Sequence, residues 1–462
     1  MLRPSKAHLA LGLAFFDEVS AATFPLHRER FWNARWAARV GLSDADREAH
    51  FARFLPIADS LEKPLALRYH GHQFDVYNPD LGDGRGFLFA QLYDDQNRLL
   101  DLGTKGSGRT PWSRGGDGRL TLKGGVREVL ATEMLEALGV YTSKSFSLFE
   151  TGEELHRGDE PSPTRSSVLV RLSHSHVRIG TFQRLATLGD SASIGKLVEH
   201  CLEHYVRGEG GPSALLAHVV EESARLCAEW MVAGFVHGVL NSDNMNVTGE
   251  SFDYGPWRFL PRYDPAFTAA YFDHQGLYCY GRQPQAVLNN LVRLARALSS
   301  VEPFETLRPM LDRFEPRLGV HVANGCVRRL GLVSRGYDED ARLVEAVFGL
   351  LEQTKLALDE VAFDFFGGGV SATRAFEGKR GRLYRDAVGF LEVLDGYAAA
   401  KEPTGPYFER KDPCTMRIEE VEGIWAPIAE RDDWEPFERK IADVRAMGVA
   451  TVLGPAATRA AG

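Results

Sequence analysis

Cysteine is sparse in this chain, and the pairing expected of a disulfide framework is missing. The 462 residues hold five cysteines, Cys201, Cys227, Cys279, Cys326 and Cys414, dispersed and without a CxxC pair. An odd, scattered set argues against a disulfide scaffold and fits a reducing cytoplasm, and the spacing does not suit a structural zinc site. Long apolar runs are missing as well: nothing approaches the roughly 18 consecutive apolar residues of a membrane span. The apolar stretch in MLRPSKAHLALGLAFFDEVS runs straight into Asp17 and Glu18, so it reads as an amphipathic segment rather than a signal peptide. Positive charge is not in excess either. A formal net charge of −9 argues against bulk binding of nucleic acid or an anionic membrane, and leaves room for a local basic pocket. Two common nucleotide cradles are absent in their standard form. SIGKLVE carries Gly195-Lys196 without the following Ser/Thr or the properly spaced first glycine of a P-loop, and G-D-G-R-G is too short for a Rossmann fingerprint.

What is there is globular. Hydrophobic residues at 44% and charged residues at 25% match a folded protein, and the length allows two or more cooperating units. Residues 1–64 read as an N-terminal extension packed on the core. From 65 to 173 the pattern is strand-like and rich in glycine: GFLFAQLYD (86–94) alternates, DQN marks a turn, RLLDLGTK (98–105) returns, and SVLVRLS (167–173) is a further strand. TLKGGVREVLATEMLEALGV places Val126, Val129, Leu130, Met134 and Leu138 on one helical face, with Gly139 as a stop. Residues 174–400 read as helical, with helices expected at 212–235, 284–299, 340–361 and 380–399. A Pro-rich stretch then leads into a 401–462 tail with one clear helix near 434–447. The fold class is therefore α+β, a small β-rich part followed by a larger α-rich part.

Glycine is densest in LGDGRGF (81–87) and GTKGSGRTPWSRGGDGR (103–119). Glycine lets backbone N–H groups approach phosphate oxygens, and Arg85, Lys105, Arg109, Arg114 and Arg119 supply countercharge. Either stretch alone fits a tight hairpin turn equally well; together they point to an anion site. Lys105 closes a strand and Glu128 lies on the following helix, the order in which a kinase strand lysine is held by a helix glutamate.

HGVLNSDNMNV (237–247) and DYGP (253–256) follow downstream. A small-molecule kinase loop runs H-G-D-x-x-x-x-N, with the Asp orienting the attacking hydroxyl and the Asn binding metal, as in protein kinases. Counted from His237, the metal position falls on Asn244, but the acid position holds Val239. Asp243 is the one carboxylate inside the loop. Asp253 begins DYGP where a kinase has its second metal ligand, and both side chains offer hard oxygens suited to Mg²⁺. Asp243 and Asn244 could also merely cap a turn. In VRLSHSHVRIGTF (170–182), Arg171 and Arg178 are candidate phosphate contacts, whereas His174 and His176 suit a polar structural role better than zinc.

The blocks YHGHQFDVYNPDLGDGRG (69–86), KGSGRTPWSRGGDGR (105–119), HSHVRIGTF (174–182), HGVLNSDNMNV, DYGP and DHQGLY (273–278) resemble the SelO family of pseudokinase-like protein adenylyltransferases, densely over about 65–300 and more loosely beyond. The resemblance implies a protein-kinase-like two-lobed fold, with a β-rich N-lobe (65–173) and an enlarged α-helical C-lobe (174–400). ATP would bind turned around, so that AMP passes to a protein Ser, Thr or Tyr hydroxyl and pyrophosphate leaves. It further implies Asp243 as the catalytic proton acceptor, and Asn244 and Asp253 as ligands of Mg²⁺ or Mn²⁺. Gly82, Gly84, Arg85, Lys105, Asp117, Gly118, Arg171, Arg178 and Asp253 form the implied ATP-binding set, with Glu128 pairing Lys105. Two departures stand out. The C-terminus TVLGPAATRAAG lacks the Cys or selenocysteine of many members, which argues against a terminal redox switch. LTLKGGVREV also stands where members carry Arg-Ser-Ser. A conventional kinase and an inactive nucleotide-binding module are the alternatives. No nucleic-acid or membrane partner is expected.

Overall fold

The structure is a computed structural model that describes residues 1–158 and 160–451. It is a mixed α/β architecture dominated by one antiparallel sheet and many helices. Eleven strands fall in the first 173 residues: β1 (Pro4–Ser5), β2 (Phe16–Glu18), β3 (Arg28–Trp32), β4 (Leu65–Leu67), β5 (Gly71–Gln73), β6 (Val76–Asn78), β7 (Leu88–Tyr93), β8 (Leu99–Lys105), β9 (Leu120–Thr121), β10 (Lys144–Leu155) and β11 (Thr164–Ser173). Nine form a sheet ordered β2-β4-β7-β8-β11-β10-β3, with β1 added on β7 and β9 on β11, while β5 and β6 make a separate hairpin.

The alternation read in GFLFAQLYD does not produce a half-exposed strand. Five of the six residues of β7 and all seven of β8 are buried. The reason is that both faces of the sheet are covered. One face packs Leu88, Leu99, Leu148 and Leu169 against Val126, Val129, Leu130 and Met134 of the helix Leu122–Ala137. The other packs Phe89, Leu100, Phe146 and Val170 under Trp36, Phe51 and Phe54 from the N-terminal segment. Residues 1–64 also extend the sheet itself, because β3 pairs with β10, β2 with β4 and β1 with β7.

The expected helix at 212–235 forms as Pro212–Ala233, entered at a proline and closed by Gly234 in the left-handed conformation. That at 284–299 forms as Gln283–Leu298. The stretch 340–361 is two helices, Tyr337–Thr354 and Leu358–Asp364, because Lys355 adopts φ 57 and stops the first. The 380–399 stretch likewise divides into Gly381–Tyr384 and Val388–Asp395. The tail carries two helices rather than one, Ile418–Arg431 and Glu435–Ala450. Met447 and Val444 of the second join the core beneath the 122–137 helix, and Gly448 lies against Ala137. All five cysteines are buried free thiols. Among the described residues no helix is long and apolar enough to cross a membrane. Residues 452–462, which hold most of the C-terminal sequence relevant to a redox switch, lie outside the described set.

Candidate active site

Strand β8 ends at Lys105, and its neighbour β11 carries Arg171 opposite Gly103, so the sheet delivers both cations to one end. Lys105 Nζ pairs with Glu128 from the helix packed on that face and lies 2.7 Å from Asp253 Oδ1. Arg171 Nη1 is 3.3 Å from the same oxygen, and Arg178 Nη1 is 4.0 Å from Asp253 Oδ2. One carboxylate therefore stands among three cations. Burial would raise its pKa, but Lys105, Arg171, Arg178 and Arg85 together hold it well below the usual carboxylate range. Asp253 sits at φ 62, a backbone conformation that an Asp tolerates better than most residues.

Asp243 belongs to a short 3-10 turn, Ser242–Asn244. Its carbonyl accepts from Arg178 Nη1 at 3.0 Å, which ties the loop to the cation set. Its own carboxylate is buried, and Oδ1 has no hydrogen-bond partner among the described residues. Burial pushes this carboxyl up to about 6; Arg178 opposes the shift and the Asp253 charge adds to it. A carboxylate lacking compensating donors is poised to hold a proton near neutral pH. Asn244 donates its amide to Val239 O at 3.0 Å, and its side-chain oxygen accepts no hydrogen bond among the described residues. With Asp253 this gives two hard oxygen donors, and no three His, Cys, Asp or Glu gather as a metal cage among the described residues. Such a donor set fits Mg²⁺, which keeps waters and shares phosphate ligands instead of demanding an all-protein cage.

His237 is a structural member of the loop. Its Nε2–H donates to Phe252 O at 3.0 Å, and burial lowers its pKa, so it is a neutral strut beneath the 253–256 loop. Gly238 follows at φ 82, where an added Cβ would lie 1.8 Å from Pro256 O. The His-Gly and Tyr-Gly-Pro pieces are thus a packed pair.

Gly82 and Gly84 lie against Trp112, and a Cβ on Gly82 would come 2.4 Å from the indole. Arg85 is exposed, and its charge reaches Asp253. Asp117 does not pair with the cations around Asp253. It pairs with Arg157 at 2.8 Å and accepts from the Arg119 amide at 2.9 Å, while Gly118 at φ 70 packs on Gly108. Arg119 is committed to Glu153 at 2.5 Å. His174 Nδ1 bonds the Tyr141 hydroxyl at 2.6 Å, and His176 faces buried Asp101.

Several contributors have no local signature. Tyr69 lies under the Arg178 guanidinium at 4.3 Å, and Asp83 takes its other nitrogen at 3.3 Å. The β5–β6 hairpin docks on the loop: the His72 amide donates to Ser242 Oγ and the Phe74 amide to Asn241 Oδ1. Tyr278 adds its hydroxyl to Asn241 at 2.8 Å, and Asp273 accepts from the amides of Leu277 and Tyr278. The quoted block 69–86 contained the first three, but the side chains they meet lie about a hundred residues or more away.

The family model described as protein adenylyltransferase SelO matches residues 2–366. A protein nucleotidyltransferase YdiU of Synechocystis sp. is 44% identical over 93% of this chain and 94% of its own length. That of Synechococcus elongatus is 51% identical over 94% and 92%, and that of Vibrio cholerae 38% identical over 75% and 71%. With most of its length matched by that model and relatives of this identity spanning nearly the whole chain, the protein belongs to the SelO family.

Proposed function

We propose that this SelO-family nucleotidyltransferase moves AMP from ATP to Ser, Thr or Tyr hydroxyls of proteins, using Asp243 as proton acceptor. The observation that carries this reading is the buried Asp243 carboxylate, its Oδ1 without a hydrogen-bond partner among the described residues, beside the Asp253 cation set in a loop whose usual acid position is Val239. The reading also takes the sheet with its Lys105–Glu128 pair as a kinase-like N-lobe (65–173) above a helical C-lobe (174–400). Five buried thiols support a cytoplasmic setting.

In this scheme the substrate hydroxyl gives its proton to Asp243 as its oxygen bonds the α-phosphorus. The bond to the bridging oxygen between the α- and β-phosphorus breaks, and pyrophosphate leaves. Lys105, Arg171, Arg178 and Arg85 neutralise that leaving group, which is where most of the charge collects. Gly82, Gly84 and Gly118 give the backbone room near the nucleotide, and Asp117 steadies that loop through Arg157. Asn244 and Asp253 would hold Mg²⁺ or Mn²⁺, which supplies charge neutralisation on the phosphates. The chain's own contribution is alignment and a ready proton acceptor.

ATP labelled separately at the α- and γ-phosphates tests the proposal. Protein labelled from the α position with release of pyrophosphate is the expected result. Label arriving only from the γ position would make the chain a conventional kinase, and nucleotide binding with no transfer from either would make it an inactive module.

A further inference from the structure

Against the sheet lies a cavity of about 1120 Å³, lined by none of the residues assigned above. That volume is at or above the upper end of small-molecule sites, roughly 300–1,000 Å³. Its walls come from the sheet, the segment after the 122–137 helix, and helices Pro212–Ala233 and Phe314–Arg329.

The charges on these walls do not cancel. Each acid is already engaged: Asp95 by Arg39 at 3.0 Å, Glu136 by Trp36 and Arg35 at 2.9 Å, Glu229 by Arg225 at 2.7 Å, and Glu250 by the His174 amide at 2.7 Å. The Arg328 guanidinium, by contrast, makes no hydrogen bond or ion pair among the described residues, and that of Arg207 reaches only the carbonyl of Asn97. Lys144 is buried on the wall, bonded to Thr142 O and 3.8 Å from Glu136. The surplus is cationic and mostly guanidinium, which favours the forked oxygens of phosphate.

The same wall grips the loop that carries Asp253. Thr142 Oγ1 meets the Tyr254 hydroxyl at 2.5 Å, the Ser143 amide donates to Ser251 O at 2.8 Å, and the Ser251 amide to Tyr141 O at 2.9 Å. Tyr141 and Lys144 face the cavity from either side of these contacts. We infer that the cavity is a regulatory site for a small phosphate-bearing polyanion, whose occupancy acts on the 251–256 loop through segment 139–144. The regulatory half rests on the proposed function; the binding half does not.

The test is calorimetric titration of the full chain, with the active site filled by a saturating non-hydrolysable ATP analogue and excess Mg²⁺. Pyrophosphate and ADP are titrated separately, to separate a free phosphate chain from one carried on a nucleoside. At least one is expected to bind in a further equivalent, and Arg207→Gln/Arg328→Gln to weaken it tenfold or more. Both arginines are exposed, so the variant should fold and keep its affinity for the analogue. Hydrogen exchange across 251–256 should slow on binding in the wild type only. No further equivalent of either ligand, or equal affinity in the variant, overturns the site; binding without altered exchange overturns its regulatory role. A chain that binds pyrophosphate here yet transfers no AMP would refute the proposed function and leave the site standing.

Discussion

Gly71 lies directly against the carboxylate of Asp243: a Cβ at that glycine would stand 2.5 Å from Asp243 Oδ1 and 3.1 Å from Cγ. The contact joins the β5–β6 hairpin to the candidate catalytic loop across 172 positions of sequence. No other residue fits there without moving the acid. The hairpin thus sets where the proposed proton acceptor points.

Gly71→Ala is expected to leave the fold intact, because the atoms that must yield are the end of one side chain. Turnover should fall by about tenfold to a hundredfold, as small displacements of a reacting group commonly cost, while affinity for ATP changes little. Single-turnover rates and equilibrium nucleotide binding, measured on one preparation, check both halves. A rate equal to wild type would detach the hairpin from catalysis.

The raised pKa of Asp243 predicts an acid limb in the pH–rate profile. As acceptor it must be ionised, so activity should rise with pH through about 6 and fall away below it. Asp243→Asn should cost about a hundredfold or more and remove that limb from whatever activity is left. The same shift affects stability. A carboxyl whose folded pKa lies above its unfolded value favours the folded state most when protonated, so this group's contribution declines as pH climbs from the unfolded value towards and through about 6.

Asp253 carries the opposite sign. Its pKa is depressed in the folded chain, so it contributes stability above the unfolded carboxylate range and loses it as pH falls through the lower folded value. Asp253→Ala removes the shared counterion of Lys105, Arg171 and Arg178, and leaves Glu128 beside Lys105 and Asp83 beside Arg178. A loss of about 1–3 kcal/mol is expected, discounted from the buried-pair figure because this side chain is 26% exposed. Denaturant titration gives that number, and metal-dependent transfer should vanish in the same variant. Undiminished Mg²⁺-stimulated turnover would remove Asp253 from the ligand set.

Gly238→Ala tests the packing beneath the loop. At φ 82 with Pro256 O in the way, an alanine meets both backbone strain and a main-chain clash. The expected result is a destabilisation of about 2 kcal/mol or more, seen as a lower melting temperature or loss of soluble protein. Gly255→Ala is the control, since nothing lies within 4 Å of its added Cβ and its φ is not in the left-handed region.

The groups that meet at the candidate site were legible because they come in ordered short blocks. His237-Gly238, Asp243-Asn244, Asp253-Tyr254-Gly255 and the Lys105–Glu128 strand-to-helix step are each read within a few turns of chain, where spacing and geometry are tightly linked. The apolar period of the 122–137 helix and the alternation of the β7 region were legible for the same reason. Splits at Lys355 and near Ala387 were not, since a single residue leaving helical φ/ψ hardly alters an apolar pattern. Strand β10 was missed because burial on both faces erases the alternation that marks a half-exposed strand.

By itself, then, the sequence determined which groups are present and in what order along the chain: the acid displaced to Asp243, the oxygen donors at Asn244 and Asp253, the cations that face them, and the family to which they point. Tertiary structure decided what each group experiences. Only the fold sets Gly71 against Asp243, ties Asp117 to Arg157, buries one carboxyl among few donors and sets another among three cations. Those environments come from contacts between residues far apart in the chain, and local pattern carries no information about them.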